Sequence, residues 1–207
     1  MEDLLVSKNS VREGAFLNGV AQFSQLLAIA IISAASNKIV PLEEGMQTMI
    51  GMLSTCREQE GTIYVAGNGG SAAIASHVVI DLLNKGSVRA TAMLDPAVTT
   101  CLSNDFGYEH IYERQLLQFA RKEDLLIAIS SSGNSKNILN AVKAARLRGA
   151  KVITLSGFEE RNPLREVGDV NLWLTSKDYG QVEIGHAFVL HHLTDCLAES
   201  ATEGESV

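Results

Sequence analysis

Asp124-Leu125-Leu126-Ile127-Ala128-Ile129-Ser130-Ser131-Ser132-Gly133-Asn134-Ser135 is the stretch on which the fold turns. Its first six residues are a short apolar run of strand length, and Ile138 to Leu147 beyond the serines reads as a helix. Four hydroxyls and a glycine therefore fall where a strand hands over to a helix. A helix N-terminus carries unpaired backbone N–H groups and a partial positive charge, which suits a phosphate or another anion. Read alone, the run is equally a serine-rich turn with an ordinary N-cap.

A second unit repeats the design. Gly61-Thr62-Ile63-Tyr64-Val65-Ala66 leads into Gly67-Asn68-Gly69-Gly70-Ser71, and Ala72 to Leu83 follows as a helix. Glycine lets a backbone approach an oxyanion closely and take up positive φ, and Ser71 is placed to cap the helix or to bind a ligand. The third glycine of G-x-G-x-x-G is missing and no Gly-Lys-Ser/Thr occurs, so neither a dinucleotide fingerprint nor a nucleotide P-loop is present.

Working outward, strand and helix patterns alternate. Strands are expected near 62–66, 88–93, 124–129, 151–155 and 169–174, with helices at 71–84, 96–103, 109–120, 135–148 and 181–200. Short β-branched runs such as Lys151-Val152-Ile153-Thr154-Leu155 suit buried parallel strands, and the helices between them suit crossovers. The expected architecture is a doubly wound α/β sheet of about five parallel strands, whose ligands bind beyond the strand carboxyl ends. Two helices, 11–35 and 42–59 joined across Pro41, form a preface. The whole chain reads as one domain with a frayed tail at 200–207. Leu26-Leu27-Ala28-Ile29-Ala30-Ile31-Ile32 is too short to span a bilayer and reads as a buried helix that packs at a subunit interface.

The net charge of −7 and the scattered basic residues argue against nucleic acid as a direct ligand. Cys56, Cys101 and Cys196 are odd in number and lack CxxC spacing, which fits reduced core thiols in a cytoplasmic protein. The N-terminus shows no basic region followed by a cleavage pattern, so no secretion signal is expected. Trp173 and the six Phe are expected in the core.

Two helices carry the groups for proton and metal chemistry. His77 and Asp81 lie four apart on one face, and helix 181–200 carries Glu183, His186, His191 and His192. Glu183 and His191 project from nearly the same side. Two histidines and two carboxylates are adequate for a Zn²⁺-like site, although this spacing also occurs on ordinary solvated helices. Asn104-Asp105-Phe106-Gly107 reads as a turn, or as an amide and a carboxylate that orient sugar hydroxyls.

Gly67-Asn68-Gly69-Gly70-Ser71, Asn104-Asp105-Phe106-Gly107 and Ser130 to Ser135, in that order and spacing, resemble sugar isomerase (SIS) domains of the phosphoheptose isomerase type over residues 40–198. The resemblance implies a flavodoxin-like sheet, a homotetramer, and conversion of sedoheptulose 7-phosphate to the aldose heptose 7-phosphate. It implies that Ser71, Ser130, Ser132 and Ser135 hold phosphate, that Asn68, Gly69, Gly70, Ser131, Asn104, Asp105 and Glu183 contribute to substrate binding, and that Asp81 is the base and His191 the acid. It also implies Zn²⁺ or another divalent cation on His77, Asp81, Glu183 and His191. The chain departs from the family pattern at Asp81, where Glu is usual, at Glu183, where Gln is usual, at Lys85 in place of Arg, and at Gly180 in place of Asp. These departures leave room for an alternative: a non-catalytic sugar-phosphate-binding paralogue, or an isomerase of another phosphosugar.

Overall fold

A computed structural model describes residues 15–204. In chain order its main elements are α1 (Ala15–Ala28), β1 (Ile31–Ala34), β2 (Lys38–Val40), α2 (Leu42–Glu58), β3 (Thr62–Ala66), α3 (Gly70–Asn84), β4 (Arg89–Thr91) and α4 (Pro96–Phe106). They continue with α5 (Ile111–Phe119), β5 (Leu125–Ser130), α6 (Lys136–Leu147), β6 (Lys151–Ser156), β7 (Val170–Trp173) and α7 (Tyr179–Gly204). The sheet order is β2-β1-β7-β6-β5-β3-β4. Within it β4, β3, β5, β6 and β7 are all parallel and form the expected flavodoxin-like order, with the direction of strand addition reversing between β3 and β5.

All six residues of β5 are buried, so this strand is the centre of the molecule and its loop opens at that reversal. One face of the sheet packs against α2, α3 and α7 through Met49, Leu53, Val78, Leu82, Val182 and Leu193. The other packs against α5 and α6 through Ile111, Leu116, Ile138 and Val142. Burying each such side chain contributes roughly 1.5–3 kcal/mol, which makes these two layers the frame that holds the loops.

The sheet has seven strands rather than five. Ile31 and Ile32, expected inside a long first helix, leave α1 and form β1, which turns at Asn37 (φ +59°) into β2. β1 pairs antiparallel with both β2 and β7 and extends the parallel sheet at that edge. The β-branched pair wins because a strand there buries Ile32 to 1 % exposure against α2, where Gly45 leaves no room for a side chain of its own. The expected helix start at 11–14 lies outside the described residues.

α1 buries Leu26 but exposes Phe16, Leu17 and Val20. Asn104, Asp105 and Phe106 belong to the last turn of α4 instead of a turn, because the helix ends only at Gly107 (φ +93°). Cys56 is buried as expected, whereas Cys101 is exposed on α4 and Cys196 is partly exposed on α7, since both lie on helix faces turned from the sheet. Trp173 is buried, but Phe16, Phe106, Phe119 and Phe188 are exposed. α7 continues to Gly204, beyond the point where fraying is expected. No helix among the described residues is long and apolar enough to cross a membrane.

Candidate active site

The loops after β3 and β5 meet at the reversal between those strands. There a cavity of about 150 Å³ is lined by Asn68, Ser71, Ser130, Ser131, Ser132, Ser135, Tyr179 and Glu183. Gly69, at φ +54°, precedes the first residue of α3, and Ser135 precedes that of α6 without capping the helix through its side chain. Two helix N-termini therefore converge on one cavity, with their leading N–H groups left to a ligand. The Ser130 and Ser135 hydroxyls lie 3.1 Å apart. Ser131 is 5 % exposed and its hydroxyl has no partner, an orphan that a phosphate oxygen would satisfy.

The loops are tied to each other and to the sheet. Asn68 and Asn137 pair their amides reciprocally, at 2.7 and 2.9 Å. The Tyr108 hydroxyl donates to Asn68 Oδ1 at 2.9 Å, and the buried Tyr112 hydroxyl donates to the Gly67 carbonyl at 2.5 Å. Burial is the main cause that pushes the Tyr112 phenol up to about 12, so it remains a neutral donor. Sequence reading singled out none of Asn137, Tyr108, Tyr112 and Tyr179; only Tyr108, next to Gly107, adjoins a recognised motif.

α3 and α7 bring together His77, Asp81 and His191, whose ligand atoms all lie within 4.8 Å of one another. The imidazoles of His77 and His191 meet edge to face, with centroids 4.8 Å apart. His191 Nδ1 lies 2.8 Å from Asp81 Oδ2, yet that oxygen is buried and accepts no hydrogen bond. His77, Asp81 and His191 thus converge closely enough to share one cation. Two nitrogens and a carboxylate oxygen fit Zn²⁺ or a similar divalent ion. Asp81 Oδ1 faces Lys85 Nζ at 3.8 Å, and Lys85 is held more closely by Asp195 at 3.0 Å.

Other expected residues lie elsewhere. Glu183 is not in that triad: its carboxylate lies against Gly70, where an added Cβ would fall 2.3 Å from Oε2. Asn104 and Asp105 bond to each other on exposed α4 and do not line the serine cavity. His186 is fully buried, with Nε2 against the Ser156 carbonyl at 3.1 Å, and desolvation pulls it down to about 4, so it is a neutral structural group. His192 faces Cys196. A larger cavity, about 780 Å³, lies by Thr62 and Arg89 at the amino ends of the strands, away from every expected site residue.

The SIS domain family model matches residues 29–157. Phosphoheptose isomerase from Helicobacter pylori is 33 % identical over 170 residues, 79 % of this chain and 88 % of that one. The Histophilus somni enzyme of the same name is 40 % identical over 129 residues, 58 % of this chain and 66 % of that one. The chain belongs to the SIS-domain phosphoheptose isomerase family. Among solved structures, phosphoheptose isomerase GmhA from Neisseria gonorrhoeae superposes with a TM-score of 0.78 at 28 % identity, covering 90 % of this chain and 97 % of that one. Gly180, where the SIS family pattern has Asp, is the second residue of α7 and carries no side chain. Asp178, just before α7, accepts the Gln181 N–H on Oδ1 at 2.9 Å.

Proposed function

We propose that the chain is a cytoplasmic, metal-assisted aldose-ketose isomerase that converts sedoheptulose 7-phosphate to D-glycero-D-manno-heptose 7-phosphate. The observation that carries this reading is the serine cavity, where two helix N-termini and five serine hydroxyls converge on one anion seat. The names of the relatives supply a phosphoheptose as the class of sugar.

In this reading the phosphate sits on Ser71, Ser130, Ser132 and Ser135. Asp81 removes the proton from C1, the C–H electron pair becomes the C1–C2 double bond, and the carbonyl oxygen O2 takes a proton from His191. Return of a proton to C2 and loss of the O1 proton leave the aldehyde at C1. His77, Asp81 and His191 would hold a divalent ion, whose chemistry is to polarise the carbonyl and stabilise the developing oxyanion.

Asp81 stands eleven residues beyond Gly70, roughly 16 Å along α3 at the helical rise. An extended seven-carbon phosphate spans on the order of 10 Å from bond lengths of this kind. The rise from Gly70 to Asp81 exceeds that span, so in this reading a neighbouring copy brings its triad to the cavity. A homotetramer supplies the closer partner: Phe16, Ile80, Leu83, Ile184 and Phe188 are exposed apolar groups on α1, α3 and α7 that a second copy would cover.

The test is incubation of the purified protein, with and without Zn²⁺, with sedoheptulose 7-phosphate. Aldose phosphate should form, and its absence sinks the assignment for that sugar. Mixing Ser130→Ala with Asp81→Ala subunits should restore part of the activity that each lacks alone. Asp81 in place of Glu favours a second reading, a sugar-phosphate-binding paralogue. Calorimetric binding without turnover would decide for it.

A further inference from the structure

Asn137 does not line the serine cavity. It is 2 % exposed in the first turn of α6, yet its amide decides what Asn68 can offer a ligand. Its Oδ1 accepts the backbone N–H of Ile138 at 3.0 Å. That N–H also reaches the Ser135 carbonyl at 3.1 Å, but a backbone N–H only donates, so the end of the Asn137 amide turned toward it is the oxygen. The same oxygen accepts Asn68 Nδ2 at 2.9 Å, and Asn137 Nδ2 donates to Asn68 Oδ1 at 2.7 Å.

Turning Asn68 over would set oxygen against oxygen and NH₂ against NH₂. The Tyr108 hydroxyl also reaches Asn68 Oδ1, but a hydroxyl donates or accepts by rotation and so cannot select the orientation. With two donors on Oδ1 and one proton of Nδ2 committed, Asn68 retains a single N–H and no acceptor.

We propose that Asn137 is a positioning residue that fixes Asn68 as a pure hydrogen-bond donor toward the oxygens of a phosphorylated sugar, with the polarity inherited from the α6 backbone. The proposal rests on the reading of the serine cavity as a sugar-phosphate site. A phosphate oxygen only accepts, so a wall that could turn an amide oxygen toward it would lose a charge-assisted bond and gain a repulsion.

Three variants test this, with affinity for sedoheptulose 7-phosphate and for inorganic phosphate measured by calorimetry, beside KM and kcat. Asn137→Asp keeps the acceptor for Ile138 and removes the donor that selects the orientation. Sugar-phosphate affinity should fall about tenfold or more, in KM rather than kcat, since bonds to charged groups carry that much. Asn68→Asp keeps its two donors but faces the cavity with an acceptor, and should weaken phosphate binding at least as much. This variant decides the matter if Asn137→Asp does not fold. Tyr108→Phe leaves the polarity intact and should weaken binding by at most about threefold.

Wild-type affinity in Asn137→Asp or Asn68→Asp overturns the proposal, as does a loss in Tyr108→Phe equal to that in Asn137→Asp. A wild-type protein that binds neither probe overturns the cavity reading itself and the proposal with it.

Discussion

Gly133→Ala should be among the most damaging single-methyl changes in the chain. Gly133 sits in the serine loop at φ +66°, and a Cβ there would fall 1.9 Å from Asn162 Oδ1 and 2.3 Å from Asn162 Cγ. Asn162 is 1 % exposed, and its amide is fully engaged. Nδ2 lies 2.9 Å from the Glu159 carbonyl and 3.3 Å from both Ser156 Oγ and the Gly157 carbonyl, while Oδ1 accepts the Arg165 N–H at 3.1 Å. The loop cannot retreat, because the Gly133 carbonyl accepts the N–H of fully buried Leu164 at 3.1 Å. Left-handed strain contributes about 1–2 kcal/mol, and expelling the buried amide leaves partners unsatisfied for about 1–3 more. The sum, about 2–5 kcal/mol, corresponds to a melting temperature roughly 4–20 °C lower for a chain of this size.

Gly149→Ala is the internal control. Gly149 has φ +85°, but its Cβ would meet only Lys122 at 3.2 Å, so it isolates the strain component. Scanning calorimetry of both variants, with phosphate binding measured beside it, checks the reasoning. If Gly133→Ala melts no lower than Gly149→Ala, the collision with Asn162 is not what excludes a side chain from the loop.

Three further outcomes follow from the same geometry. Asp81→Asn should reduce bound zinc per subunit, measured by elemental analysis after dialysis, by tenfold or more; Glu183→Gln should leave it unchanged, because Glu183 lies outside the triad. Glu183→Gln should also tighten inorganic phosphate binding about twofold to fivefold in calorimetry, since it removes a carboxylate from beside the α3 N-terminus. His186 is depressed to about 4 in the fold from an ordinary value near 6.5, so its stabilising contribution is complete above pH 6.5 and is lost as pH falls toward 4. Unfolding free energies from urea titrations should therefore decline over that window by up to about 1.4 kcal/mol per pH unit from this group, and His186→Gln should flatten the decline.

The parallel core was legible because its strands are short apolar runs, the central β3, β5 and β6 running straight into Gly or Ser loops, and because crossover helices of ordinary length separate them. The β1-β2 hairpin was not. Leu26 to Ile32 is one apolar run, and periodicity alone does not divide it into the end of a helix and the start of a strand. The division is made by tertiary contact with β7 and α2. Asn104 and Asp105 show the same limit: their side chains favour turns, yet the following glycine ends the helix two residues later.

The two parts of the candidate site differ in legibility for a physical reason. The anion seat is built from contiguous residues, with hydroxyls and glycines at consecutive positions on two loops, so composition at a strand-to-helix junction announces it. The triad is assembled across two helices that meet only in the folded chain, and helical spacing determines which residues share a face without determining which faces meet. Glu183 shows the consequence. Its eight-residue separation from His191 places both on one side of α7, but eight residues are about 12 Å of helix. His191 reaches Asp81, whereas Glu183 reaches the first turn of α3 at Gly70. The position where the family pattern carries a neutral Gln is thus, in this chain, a negative charge beside the phosphate seat. Its removal should be felt in phosphate affinity before it is felt at the metal.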